Sequence, residues 1–267
     1  MIADWPAALH GVGVRIPKER KRPPVNLRLL THAKEQAKLY KARLFVFRDA
    51  EGTELSYHSV GLHLLPATLS GTNLCPWSTA GCRRACLNTA GHGALNMVQS
   101  ARARRTALYL EQPGLFLQSL HTELRNHEIN CDRKGLLPTA RLNLTSDIEW
   151  EKVDPSLFTR HPTVQFYDYT KNPKRMMAFL EDKLPRNYHL TFSQSEHNEQ
   201  TCRRVLSLGG NVTTVWRTAM PTTHLGALVI DGTTHDLRFR DLVGVVVGLL
   251  ALGRARRDTT GFVQEDL

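Results

Sequence analysis

Residues 163–193 read Thr163-Val-Gln-Phe-Tyr-Asp-Tyr-Thr-Lys-Asn-Pro-Lys-Arg-Met-Met-Ala-Phe-Leu-Glu-Asp-Lys-Leu-Pro-Arg-Asn-Tyr-His-Leu-Thr-Phe-Ser193. Two short apolar runs, Thr163–Tyr167 and Tyr188–Phe192, flank a helix-capable stretch, Pro173–Glu181, so the segment predicts strand, helix and strand. The pattern extends both ways: Ala140–Leu144 lies upstream, and Glu199–Leu208, closed by Gly209-Gly210, leads to Asn211–Trp216. Strands alternating with helices at this spacing predict right-handed βαβ units on a parallel sheet. The expected fold is α/β, a partial or irregular TIM-like barrel of parallel strands with an N-terminal β-hairpin appendage.

Each predicted strand leaves polar residues at its end: Thr145–Glu149, Asp168–Lys171, Ser193–Glu196 and Arg217. In parallel sheets and barrels, functional groups collect beyond the carboxyl ends of the strands. Asp147, Asp168, Tyr169, Lys171, Ser193, Ser195 and Glu196 are therefore expected on one polar face. Asp147, Asp168, Lys171 and Glu196 are the candidate catalytic residues; Arg141, Asn143, Ser146, Tyr169, Ser193 and Ser195 are the candidate substrate contacts. The competing reading is helix capping, for which Ser146-Asp147 and Ser193–Glu196 have suitable chemistry.

Cys75, Cys82 and Cys86 stand as Cys-x6-Cys-x3-Cys within the segment 73–93. A helix starting near Cys82 places Cys82 and Cys86 on one face, and Pro76 and Gly81 let the preceding loop return Cys75 toward them. Convergent thiolates repel unless a metal neutralises them, and Arg83 and Arg84 add local positive charge. Three thiolates without a clear fourth suit an iron–sulfur cluster, 4Fe-4S in type, with one iron open to an outside ligand. The alternatives are zinc with His92 as nitrogen ligand and three unmetalled thiols.

The chain has 267 residues, enough to bury a sizeable core. Segment 1–24 reads as an irregular basic arm and 25–267 as a single α/β domain. The longest apolar run, Val243–Leu252, contains Gly244 and Gly248 and falls short of the roughly 20 residues a membrane span needs. The N-terminus lacks the regions of a signal peptide, so a cytoplasmic location is expected, where five cysteines stay reduced. A formal net charge of +10 favours an anionic partner, whether small molecule, nucleotide or nucleic acid. Much of it lies in Lys18–Arg22 and in Arg102, Arg104 and Arg105; the alternative is a solvated positive surface.

Elsewhere a helix is expected over Leu27–Tyr40 and a β-hairpin from Arg43–Arg48 and Glu54–Val60 around Asp49–Gly52. Helices are expected over Leu95–Glu111, its arginines opposite the apolar face, and over Leu115–Glu128, with Cys131 a stray thiol in an irregular stretch beyond. Asp231, His235 and Asp236 either bind a cation or substrate hydroxyls, or Asp231-Gly232 only turns the chain. The tail from Arg254 is expected on the surface. Phosphate loops, Gly-x-Gly-x-x-Gly and Gly-x-Ser-x-Gly are absent, which argues against common ATPases, dinucleotide dehydrogenases and serine hydrolases.

Five segments together resemble the gene-product-88 domain family of actinobacteriophages: Cys75–Gly91, Arg141–Trp150, Phe166–Lys171, Asn187–Ser193 and Asp236–Phe239. The resemblance implies phage origin and a bacterial host cytoplasm, and carries no settled activity. Thr233 stands where the family usually has an aspartate, which speaks against a metal in the Asp231 turn. The layout is also similar to that of radical S-adenosylmethionine enzymes, which place a three-cysteine loop after an early barrel strand but with different spacing. The leading expectation is an iron–sulfur redox or radical-type enzyme acting on an anionic substrate. The alternatives are a metal-stabilised protein that binds nucleic acid or a host factor, and an effector that inhibits a host protein without chemistry of its own.

Overall fold

The computed structural model describes residues 27–32 and 45–265; the basic arm and segment 33–44 lie outside the described residues. The strands are β1 Leu30–His32, β2 Val46–Arg48, β3 Glu54–Leu62, β4 Leu137–Arg141, β5 Gln165–Thr170, β6 Tyr188–Ser193, β7 Val212–Trp216, β8 Thr223–His224, β9 Ala227–Asp231, β10 Val246–Leu250 and β11 Val263–Gln264. The helices are α1 Ala80–Arg84, α2 Asn96–Glu111, α3 Pro113–Asp132, α4 Trp150–Val153, α5 Leu157–Arg160, α6 Pro173–Leu180 and α7 Glu199–Ser207.

The chain is a mixed α/β protein whose strands join in one largely parallel sheet, with the path β1-β3-β4-β5-β6-β7-β10-β9-β8. Ladders β3·β4, β4·β5, β5·β6, β6·β7, β7·β10 and β10·β9 are parallel, while β1 and β2 flank β3 antiparallel and β8 pairs β9 antiparallel. No ladder among the described residues joins the two ends of this path. The expected hairpin is present as β2 and β3.

Alternation along the strands gives the sheet two unlike faces. Val60, Leu62, Ala140, Phe166, Tyr188, Leu190, Phe192 and Val212 pack with Phe116, Leu120 and Leu124 of α3, Met176 of α6 and Val205 of α7 into one apolar core. The intervening residues, among them Ser59, Thr139, Arg141, Tyr167 and Thr191, are buried as well but largely polar. Local chemistry sets the helix starts: Asn172 accepts from the Lys174 and Arg175 amides, and Pro173 follows at the first helical position of α6.

Three expectations need correction. Residues 30–32 are strand, because the Leu29 and Leu30 amides donate to the Glu123 carboxylate at 2.7 and 2.8 Å and a tertiary partner overrides helix propensity. The rest of the expected helix Leu27–Tyr40 falls largely outside the described residues. Cys131 lies in the last turn of α3 and is fully buried. The tail is partly built in: β11 pairs parallel with Val215 and Trp216, on the part of β7 that its ladder with β6 leaves open.

Candidate functional site

All the parallel strands end at one edge, and the cysteine loop lies against that edge. Thr79 caps α1, its hydroxyl accepting from the Cys82 amide at 3.1 Å and donating to the Glu196 carboxylate at 2.7 Å. The other Glu196 oxygen accepts from the Gly81 amide at 2.8 Å. Burial raises the Glu196 pKa, but hydrogen bonds from its own amide, Thr79 and Gly81 outweigh this and hold it below the ordinary glutamate value. Gly81 is a steric requirement: a Cβ there would lie 2.2 Å from Thr260 Oγ1 and 2.8 Å from Glu196 Oε1.

On the other side of the loop, the Asp147 amide donates to the Leu74 carbonyl at 2.9 Å, next to Cys75. The Asp147 carboxylate accepts from the Thr170 hydroxyl at 2.9 Å and the Lys171 amide at 3.0 Å, and it faces the Arg175 guanidinium at 3.4 Å. Burial still raises its pKa against these partners. Lys171 Nζ donates to Ser193 Oγ at 2.8 Å and sits 5.3 Å from the centre of the Phe262 ring.

Cys75 accepts from the Ala67 amide at 3.3 Å, and the Asn88 amide hydrogen-bonds to Cys86. Burial pushes the Cys75 thiol up to about 11, and the neighbouring Cys86, Asp147 and Cys82 charges push the same way. Burial likewise raises Cys86, with Arg102 and Lys171 opposing. The three cysteines thus lie within electrostatic reach of one another, Cys75 also of Asp147 and Cys86 also of Lys171. His92 is exposed.

Amide donors to sulfur fit a metal-bound thiolate set, because such bonds stabilise negative sulfur. A buried guanidinium nitrogen, Arg102 Nε, has no hydrogen-bond partner, and Arg102 lies close enough to Cys86 for their charges to interact. The three sulfurs do not belong to any group of ligand atoms all within 4.8 Å of one another.

The remaining nominated residues divide by strand parity. Asp168 shares the side of Phe166 and faces the helix layer, where it accepts from the Asn143 amide at 2.8 Å, Asn143 Nδ2 at 3.2 Å and the Tyr188 hydroxyl at 2.8 Å. It is 1 % exposed, and burial pushes its pKa up to about 6 against the pull of Arg141 and Arg175. Ser146 donates to Asn143 Oδ1 at 2.8 Å, so Asn143 and Ser146 brace the loop after β4. The Ser195 amide donates to Asn198 Oδ1 at 2.7 Å, which is local turn chemistry.

Arg141 and Tyr169 lie on the polar face. The Arg141 guanidinium pairs with Asp236 at 2.8 Å and stacks 4.4 Å from the Tyr169 ring centre, while the Tyr169 hydroxyl donates to Asp236 at 3.2 Å. Asp231 accepts from the Thr233 amide and hydroxyl at 2.7 and 2.6 Å, so it does turn work.

Sequence reasoning missed Arg102 and Arg175. Arg102 is buried in α2 instead of lying on the helix's polar side, donating to the Asn88 carbonyl at 2.6 Å and bracing the turn after Cys86. Arg175 holds Glu151 with two nitrogens at 2.8 and 2.7 Å and reaches the Tyr188 hydroxyl at 2.6 Å. Its place one turn into α6, beside Asn172-Pro173, was the available signal.

These features define an α/β protein with a cysteine loop clamped over the carboxyl edge of a parallel sheet. The chain belongs to the gene product 88 family, whose model matches residues 28–266, the phage family its five segments resemble. No curated protein and no solved structure matches it. No helix among the described residues is long and apolar enough to cross a membrane.

Proposed function

We propose that the chain is an iron–sulfur protein, with Cys75, Cys82 and Cys86 as ligands, acting as a redox or radical-type enzyme on an anionic substrate of the nucleotide or nucleic-acid class. The observation that supports this is the shared neighbourhood of Cys75 and Cys86 with Asp147 and Lys171, held rigid by Glu196. Unmetalled, Cys75 and Cys86 stay protonated because burial penalises their thiolates. They give up those protons on binding a metal.

A bound cluster supplies electron transfer and an iron open to an outside ligand. The chain's own residues do the rest. Ala67 and Asn88 orient two of the sulfurs through their amides. Lys171, tethered to Ser193, presents an ammonium to an anionic substrate group. Asp147, buried and raised, holds or releases a proton close to Cys75. In this reading the parallel strands are part of a TIM-like barrel, and the protein works in the cytoplasm of the bacterial host.

The test is anaerobic purification followed by iron and acid-labile sulfide assays and electron paramagnetic resonance after reduction. Stoichiometric iron and sulfide, lost together in Cys75→Ser, Cys82→Ser and Cys86→Ser, is the expected result. A folded, colourless protein that also resists anaerobic reconstitution overturns the proposal.

A further inference from the structure

On the helix-covered face of the sheet, away from the cysteine loop, two histidines and a thiol meet in the core. His58 of β3 is 6 % exposed, His127 of α3 is 2 % exposed and Cys131 is fully buried. One ligand atom from each can be chosen so that all three lie within 4.8 Å of one another, and no other group of three or more His, Cys, Asp or Glu among the described residues meets that criterion. The two α3 residues are four apart and so share one helix face. Val60, which packs in the apolar core, has the parity of His58, which places His58 on the side of α3. His32 lies opposite Val60 in the β1·β3 ladder, and its ring centre is 6.3 Å from that of His58.

Cys131 Sγ lies beside the His127 ring, 3.7 Å from Nδ1 and 3.8 Å from Nε2, so a rotation of the imidazole about its Cβ–Cγ bond would aim one lone pair at an ion shared with the thiol. Zinc–sulfur and zinc–nitrogen bonds of about 2.3 and 2.0 Å put tetrahedral ligand atoms about 3.6 Å apart. His127 Nε2 contacts the Thr139 carbonyl at 3.2 Å, the backbone partner a metal-bound imidazole usually has on its second nitrogen. The His58 carbonyl also hydrogen-bonds to the His127 ring. A core of satisfied histidines is the ordinary explanation for one buried imidazole. It does not account for two imidazoles converging on a buried thiol at ligand spacing.

We propose that His58, His127 and Cys131, with His32 as the fourth ligand, form a structural zinc site that ties β1 and β3 to α3. Imidazole with one thiolate suits zinc, and a closed four-ligand set leaves no position for chemistry. The site is independent of the loop cysteines.

The experiment uses the full chain with Cys75, Cys82 and Cys86 all replaced by serine, which removes the competing locus. Zinc per chain is measured after dialysis, and cobalt(II) is titrated in as a spectroscopic probe. One zinc per chain is expected, with visible cobalt bands of tetrahedral strength and a near-ultraviolet thiolate-to-cobalt band. Adding Cys131→Ser should abolish that thiolate band, and His32→Gln should weaken zinc binding at least tenfold. A folded triple-serine chain that holds neither zinc nor cobalt overturns the proposal, as does a thiolate band that survives Cys131→Ser. Should the triple-serine chain fail to fold, cobalt-loaded wild type and Cys131→Ser are compared, and identical spectra overturn it equally.

Discussion

Glu196 holds the Gly81 amide at 2.8 Å across a separation of 115 residues, so a carboxylate beyond the end of β6 fixes the helix that carries Cys82. The same carboxylate takes the Thr79 hydroxyl, and the cysteine loop therefore has little freedom to move away from the sheet.

Removing this clamp should release the loop. Glu196→Ala loses two hydrogen bonds to a charged group and should destabilise the protein by about 1 to 3 kcal/mol. Gly81→Ala should act similarly, by forcing Thr260 and Glu196 aside. Both should retain less iron than wild type after anaerobic reconstitution. Wild-type iron content in both would separate the clamp from the cysteines.

The Lys171 ammonium has one hydrogen bond, to Ser193, and is only partly buried, so Lys171→Met should change stability by less than about 1 kcal/mol. Its effect should fall on anion binding. Pyrophosphate, used as a probe anion, should raise the melting temperature of wild type and leave that of Lys171→Met unmoved, with iron content equal in the two. Equal stabilisation of both would remove Lys171 from the binding role.

The Arg141–Asp236 pair is buried, with side chains 10 % and 0 % exposed. Arg141→Met strands a carboxylate in the interior and should cost about 3 to 5 kcal/mol. Combining it with Asp236→Asn should recover part of that loss, since the uncompensated charge is gone. Urea midpoints of the wild type, both single variants and the double variant give the coupling; strict additivity would mean that the pair does not interact.

Burial, with Arg102, Arg105 and Arg141 nearby, pushes the His63 pKa down to about 3. The folded state keeps this ring neutral while the unfolded chain protonates it below about 6.5, so the unfolded state binds more protons in that window. The His63 contribution to stability is therefore full above about pH 6.5 and is lost progressively as pH falls toward 3. Relative to His63→Gln, wild type should weaken by up to about 1.4 kcal/mol per pH unit across that range. Parallel stability curves for the two proteins would contradict the assignment.

Much of this arrangement was legible in the sequence, and the parts that were not share a cause. β5, α6 and β6 follow from aromatic runs broken by Asn172-Pro173, a local cap that needs no tertiary help. The carboxyl-edge residues followed from the parallel topology alone. Position after a predicted strand groups Asp168 with Lys171, yet Asp168 shares the parity of Phe166, and alternation sends it to the helix side. β1 was illegible because its amides answer to Glu123, some 93 residues away. Arg102 hid in a helix of arginines because its acceptor, Asn88, is brought to it only by the turn after Cys86. His127 and Cys131 form a visible pair at helical spacing, but the third member, His58, comes from another strand.

The contacts that hold the cysteine loop against the sheet come from Thr145, Glu196, Thr260 and Phe262, all later in the chain than the cysteines themselves. A ribosome delivers residues 75–86 long before it delivers those partners. The thiols therefore emerge into the cell without their cradle, and the cluster proposed for them would be acquired only after the C-terminal third is complete.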